Sequence, residues 1–252
     1  MRINSLSLEN YRNIIRCDLT PGEGVNLIVG DNAQGKTNLM EAIWLLTGEK
    51  TFRYGREHDI PRLDMDRETQ RTRVYANVFA EGRDQELEYI LWPRRQVKIN
   101  GITEPGRGAF SGKLCCVIFS PNHLSLVRDG PVERRDFLDG AISQLRPQYI
   151  KVLSDYNRAL AQRSTLLREA FRDRGRLDLL PVFDYHVARL GSLIQVTRQS
   201  YLTRLAEYAA GFHQGISAGK EELSVRYTIG GTGSGILDPE GSREELEQAL
   251  LS

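Results

Sequence analysis

Apolar and polar positions alternate in short runs through the first half of the chain and recur at helical spacing from Pro131 onward. Runs at 3–8, 25–29, 74–80, 87–91, 97–100 and 114–119 have the alternating or continuous apolar character of strands. One early helix interrupts them: from Lys36, the residues Leu39, Ala42, Ile43 and Leu46 share a side, and Gly48 supplies an end. Lys98-Ile99-Asn100-Gly101-Ile102 predicts a hairpin, because Asn-Gly tolerates the positive φ angles of a tight type I′ turn.

In the second half, Pro131 offers a first-turn proline to a helix carrying Phe137, Leu138, Ile142 and Leu145 on one face. A second helix is expected from 147 to about 171 through Ile150, Leu153, Leu160 and Leu167, broken by Asp173-Arg174-Gly175-Arg176. A third follows over 181–212 through Val182, His186, Leu190, Leu193, Thr197, Tyr201, Leu205 and Tyr208. Two long helices joined by a short polar loop should lie antiparallel, as an extended arm or as a packed lobe. Residues 223–229 then predict a strand, and Gly230-Gly231-Thr232-Gly233-Ser234-Gly235 a flexible loop.

Composition narrows this only slightly. A 252-residue chain with 40% hydrophobic and 27% charged residues suits a globular protein of one large domain or a domain with an insertion. No apolar run nears the roughly 18 residues of a membrane span, so no membrane partner is expected. Three cysteines and a polar start at Met1-Arg2-Ile3-Asn4 suggest a cytoplasmic setting. Cys115 and Cys116 are adjacent in a strand-like run, where they would point to opposite faces, and are expected in the core rather than on a metal. A net charge of +1 gives no whole-molecule attraction to nucleic acid, so any DNA affinity must be local. Arg71, Arg73, Arg94, Arg95 and Lys98 are candidate phosphate contacts, each with an ordinary hairpin-edge reading beside it.

The strongest chemistry lies at Gly30-Asp31-Asn32-Ala33-Gln34-Gly35-Lys36-Thr37, between an expected strand and the first helix. That is a P-loop: the glycines let successive amides face inward, and the helix N-terminus adds a partial positive charge. Lys36 would reach the β- and γ-phosphates of ATP, and the Thr37 hydroxyl would ligate Mg2+. No Asn-Lys-x-Asp element for guanine occurs.

Leu6-Ser7-Leu8-Glu9-Asn10-Tyr11-Arg12-Asn13 resembles the opening element of the RecF family of bacterial DNA-repair proteins and of related SMC-type heads. The stretch Ser120-Pro121-Asn122-His123-Leu124 through Gly130-Pro131-Val132-Glu133-Arg134-Arg135-Asp136-Phe137-Leu138-Asp139 is similar to the RecF signature, with Asn122 where the family usually has an acid. Tyr156-Asn157-Arg158-Ala159-Leu160-Ala161-Gln162-Arg163-Ser164 and Glu41-Ala42-Ile43 also fit. The resemblance implies that Arg12 and Asn13 lie near the nucleotide phosphates; a strand-end turn is the alternative.

The resemblance further implies an α/β fold: an ABC-type P-loop ATPase head with an antiparallel N-terminal sheet and an inserted helical hairpin, incomplete at the C-terminus. Residues 1–130 would form the N-terminal part of the head, 131–215 a helical arm or lobe, and 216–252 a segment returning to the head. It implies an ATP-binding protein of DNA replication, recombinational repair and the SOS response. Such a protein binds single-stranded, gapped and duplex DNA through an ATP-dependent homodimer of heads and supports RecA loading with RecR- and RecO-type partners. The family's Walker B acids and signature motif have no counterpart here, and the chain ends about where a C-terminal third would follow. A truncated product or fragment is therefore expected, with no catalytic residue of its own and negligible hydrolysis alone. A small-molecule P-loop kinase using helix arginines such as Arg163, Arg168, Arg172, Arg174 and Arg176 as a lid, or a fragment that binds without turnover, are the alternatives.

Overall fold

The computed structural model describes residues 1–52, 57–171 and 173–228; the glycine-rich stretch 230–235, Ile229, Arg53 and Arg172 lie outside the described residues. They divide into two compact units, one of Met1–Val127 with Gln144–Pro147 and one of Arg128–Ser143 with the chain from Gln148 on.

The first unit is built on a six-stranded antiparallel sheet in the order β2-β1-β3-β4-β5-β6. Its strands are β1 (Arg2–Tyr11), β2 (Ile14–Leu19), β3 (Thr72–Ala80), β4 (Arg83–Trp92), β5 (Gln96–Ile99) and β6 (Ile102–Glu104). Period-two patterning sends Leu6, Leu8, Val74, Ala76, Val78, Leu87, Tyr89 and Val97 to one face. There they pack with Leu39, Ala42 and Leu45 of α1 (Lys36–Leu45) and with Phe110. Each such buried side chain stabilises by about 1.5–3 kcal/mol, and this shared core fixes α1 against the sheet. Asn100 and Gly101 both take positive φ, 51° and 78°, so the expected Asn-Gly turn joins β5 to β6.

The opposite face carries a ladder of charge. Glu9 of β1 pairs with Arg73 of β3 at 3.5 Å, Arg73 with Glu88 of β4, and Glu88 with Lys98 of β5 at 3.3 Å, while Arg71 adds a 2.9 Å bond to Glu9. The Arg73 guanidinium also lies over the Tyr75 ring at 4.7 Å.

Three expected strands are corrected. Residues 25–29 and 114–119 join no sheet among the described residues, and Val25 and Val117 are 96% and 100% exposed. Residues 223–228 are likewise without strand structure. A strand requires a partner strand for its backbone N–H and C=O groups, and among the described residues none pairs with these three. Conversely β2 was not foreseen. As an edge strand with Ile15 exposed, it lacks the apolar alternation that marks an interior one.

After a single turn, α2 (Ser125–Arg128), the second unit comprises α3 (Pro131–Leu145), α4 (Pro147–Ala170) and α5 (Leu180–Ile216). Proline opens α3 and α4 and lies in the first turn of α5, where its missing N–H costs nothing. Leu138, Ile142, Tyr149 and Ile194 form the core, with Val152, Leu153, Tyr156, Tyr201 and Leu202 packed against it. Early α4 meets the middle of α5 through Tyr149 and Arg198, both on Asp139, and late α4 meets early α5 through Arg163 and Asp184. The two helices are thus antiparallel. Asp173 accepts a bond from Gly175 N at 3.2 Å and starts the 3-10 turn Arg174–Leu179 that reverses the chain.

Candidate nucleotide-binding site

The loop 30–37 ends on α1, whose N-cap is Gly35 with φ of 100° and no side-chain cap. The first-turn amides of α1 therefore retain the anion-binding character of an uncapped helix start. Gly30 and Ala33 also take positive φ, 148° and 65°, and Leu39 N donates to Gly35 O at 2.9 Å to begin the helix. Asp31, Asn32, Ala33 and Gln34 form the exposed outer turn of the loop.

Lys36 folds back over this loop. Its Nζ donates to the carbonyls of Gly30 and Asp31, both at 2.6 Å, so the ammonium ties the helix start back to the beginning of the loop. Thr37 is exposed one residue further on. No group of three or more His, Cys, Asp or Glu side chains is placed to hold a metal among the described residues. A single hard hydroxyl oxygen at Thr37 suits a Mg2+ that arrives on the phosphates of ATP.

Arg12 and Asn13 occupy the two-residue turn between β1 and β2, with Arg12 at φ of 55°. Asn13 touches the loop directly: its Nδ2 donates to Ala33 O at 2.8 Å, and its Oδ1 accepts from Asn38 Nδ2 at 2.7 Å. The same Oδ1 stands 2.9 Å from where a Cβ on Gly35 would lie, so a side chain there would have to displace Asn13, and the φ of 100° disfavours one in any case.

Arg12 bonds α1 and the chain at Asp59. Its Nε and Nη2 form a fork on Glu41 of α1 at 3.0 and 2.8 Å, and Nη1 donates to Asp59 O at 3.1 Å. Glu41 is fully buried and also accepts from Thr51 Oγ1. Burial pushes the Glu41 carboxyl up, but the bonds from Arg12 and Thr51 and the Arg12 charge outweigh it and hold it below the usual range. The bond to Glu41 correspondingly raises the Arg12 guanidinium. Sequence reasoning quoted Glu41 without giving it a role. The available signal was a carboxylate beside Ala42 and one turn before Leu45, on the arc that α1 buries.

The other candidates are distributed differently. Arg71, Arg73 and Lys98 belong to the charge ladder, Arg95 pairs with Glu57 and donates to Tyr89 OH at 2.7 Å, and Arg94 lies exposed in the β4–β5 turn. Burial, then the Glu57 charge, pushes the Tyr89 phenol up to about 12. Cys116 packs against the core, where burial and then Cys115 push its thiol up to about 11, while Cys115 Sγ approaches Gln144 O at 3.4 Å.

Residues 1–100 match the family model described as an AAA ATPase domain. The chain is 35% identical over 251 residues to the DNA replication and repair protein RecF of Symbiobacterium thermophilum, covering 99% of this chain and 66% of that protein. It is 35% identical over 229 residues to the RecF of Acetivibrio thermocellus, covering 90% and 61%. The RecF of Gloeobacter violaceus is 38% identical over 230 residues, covering 90% and 60%. A solved structure of the recombination mediator protein RecF with ATP, from the RecFOR pathway, matches with a TM-score of 0.87 at 31% identity, covering 98% of this chain and 66% of that one. The P-loop at the start of α1, the antiparallel sheet and the paired helices together with these likenesses show that the chain belongs to the RecF family, spanning between 60% and 66% of the length of these relatives.

Proposed function

We propose that this chain is the ATP-binding part of a RecF-type protein of DNA replication and recombinational repair. The observation that carries the reading is the Lys36 ammonium lying across the Gly30 and Asp31 carbonyls at an uncapped helix start. Entry of the ATP phosphates would exchange those two neutral acceptors for anionic oxygens, and the amides of 30–37 would hold the remainder. Mg2+ would join through Thr37.

In this reading ATP acts as a switch, bringing two heads together on gapped or duplex DNA, with RecO- and RecR-type mediators as further partners. The relative from the RecFOR pathway supports that assignment. Turnover by this chain alone should be negligible, because no Asp-Glu pair of the Walker B kind occurs in this sequence to activate water. The kinase alternative loses support: Arg163 is paired with Asp184, and Arg176 with Glu169 and Asp173, within their own unit rather than presented as a lid.

ATP turnover measured with and without gapped DNA tests the switch reading. Negligible turnover in both, with ATP binding retained, is expected; phosphorylation of a small-molecule acceptor independent of DNA would sink it.

A further inference from the structure

Asn13 braces the nucleotide loop from outside, beside Ile14. Asn13 bonds Ala33 O and Asn38 Nδ2 and stands against Gly35, so it contacts both left-handed positions at the loop's second half and the first turn of α1. Both functions of its amide are thereby used. What fixes Asn13 is the residue before it. Arg12 sits at positive φ at the tip of the turn, and its fork grips a carboxylate with no solvent exposure in the second turn of α1. A bidentate guanidinium–carboxylate pair sets angle as well as distance, so the turn is registered on the same helix whose N-terminus the loop precedes. Backbone bonds from Arg12 N to Ile60 O at 2.8 Å and from Arg62 N to Asn10 O at 3.0 Å hold the strand end but leave the Asn13 side chain unconstrained.

We propose that Glu41 is a positioning residue for the nucleotide loop, acting through the Arg12–Asn13 turn and not on the nucleotide itself. The inference rests on the P-loop reading above and deepens it: the loop keeps its binding geometry before ATP arrives because α1 carries its own template for the turn that braces it. Arg12 carries this link, since its Nε and Nη2 both bond Glu41.

The test is a double-mutant cycle on ATP affinity, measured with a fluorescent ATP analogue on the full chain, alongside thermal melting. Glu41→Gln and Asn13→Ala should each weaken binding about fivefold, the net worth of about one hydrogen bond. The double variant should be no weaker than either single, because both cut one route. A purely structural Glu41 would lower the melting temperature and leave affinity unchanged in the folded fraction, and that result overturns the proposal, as do fully additive losses. If Glu41→Gln does not fold, Arg12→Met with Glu41→Leu removes the pair without leaving a buried charge. That variant must still lose affinity, and wild-type binding by it overturns the proposal. Lys36→Ala separates the layers: unchanged binding there removes the loop reading itself, whereas loss there with wild-type affinity in Glu41→Gln overturns only the positioning role.

Discussion

Asp139 receives both forks of Arg198, Nε on Oδ1 and Nη2 on Oδ2, each at 2.7 Å, and a third bond from Tyr149 OH at 2.7 Å. One carboxylate of α3 therefore ties α4 and α5 together. It is the last residue of the Arg-Arg-x-Phe-Leu-Asp stretch that carried the family resemblance, and its work here is architectural. Burial works against the Arg198 charge, but the bond and charge of Asp139 outweigh it and raise the guanidinium. Replacing Asp139 with Asn keeps the shape and removes the charge that Arg198 needs. Leaving a mostly buried cation unpaired costs about 3 kcal/mol, and urea unfolding followed by far-UV circular dichroism should report that loss.

Gly35→Ala tests the fit between the loop and its brace. The added Cβ would meet Asn13 Oδ1 at 2.9 Å at a φ of 100°, so either the asparagine or the loop must move. The left-handed conformation alone costs about 1–2 kcal/mol, and ATP affinity should fall further than Asn13→Ala makes it fall.

Acid should uncouple the buried pair. Glu41 titrates below its ordinary value near about 4.3, so its contribution is complete above that value and is lost as pH falls through the depressed folded one. Chemical unfolding from pH 7 down to about pH 3 should show the chain losing stability in that window, more steeply than Glu41→Gln does. Parallel acid limbs for the two proteins would contradict the assignment.

Arg73 separates structure from nucleic-acid contact. Held by Glu9 and Glu88 and lying over Tyr75, it should cost about 1–2 kcal/mol of stability when replaced by alanine. The slope of log DNA affinity against log salt should not change; a fall of about one would mark Arg73 as a phosphate contact.

Local chemistry made part of this readable in the sequence. The P-loop, the Asn-Gly turn and the proline-started helices declare themselves, because proline fixes φ while glycine and asparagine admit the positive φ that tight turns need. The expected strands at 25–29 and 114–119 were read from their apolar runs. Composition supplies the propensity but not the partner strand, and among the described residues neither run pairs with one. The Glu41–Arg12 pair was hidden for a related reason. The two residues are 29 positions apart, and only the packing of α1 on the sheet brings them together. Likewise, no local pattern told that Arg71, Arg73 and Lys98 would find carboxylates on adjacent strands.

The most direct measurement of the central claim is ATP binding by the purified chain and by its Lys36→Ala variant, titrated with a fluorescent ATP analogue in the presence of Mg2+. Saturable binding by the chain, abolished in the variant with the fold intact, is the predicted result. Equal binding by both, or none by either while both are folded, would contradict it.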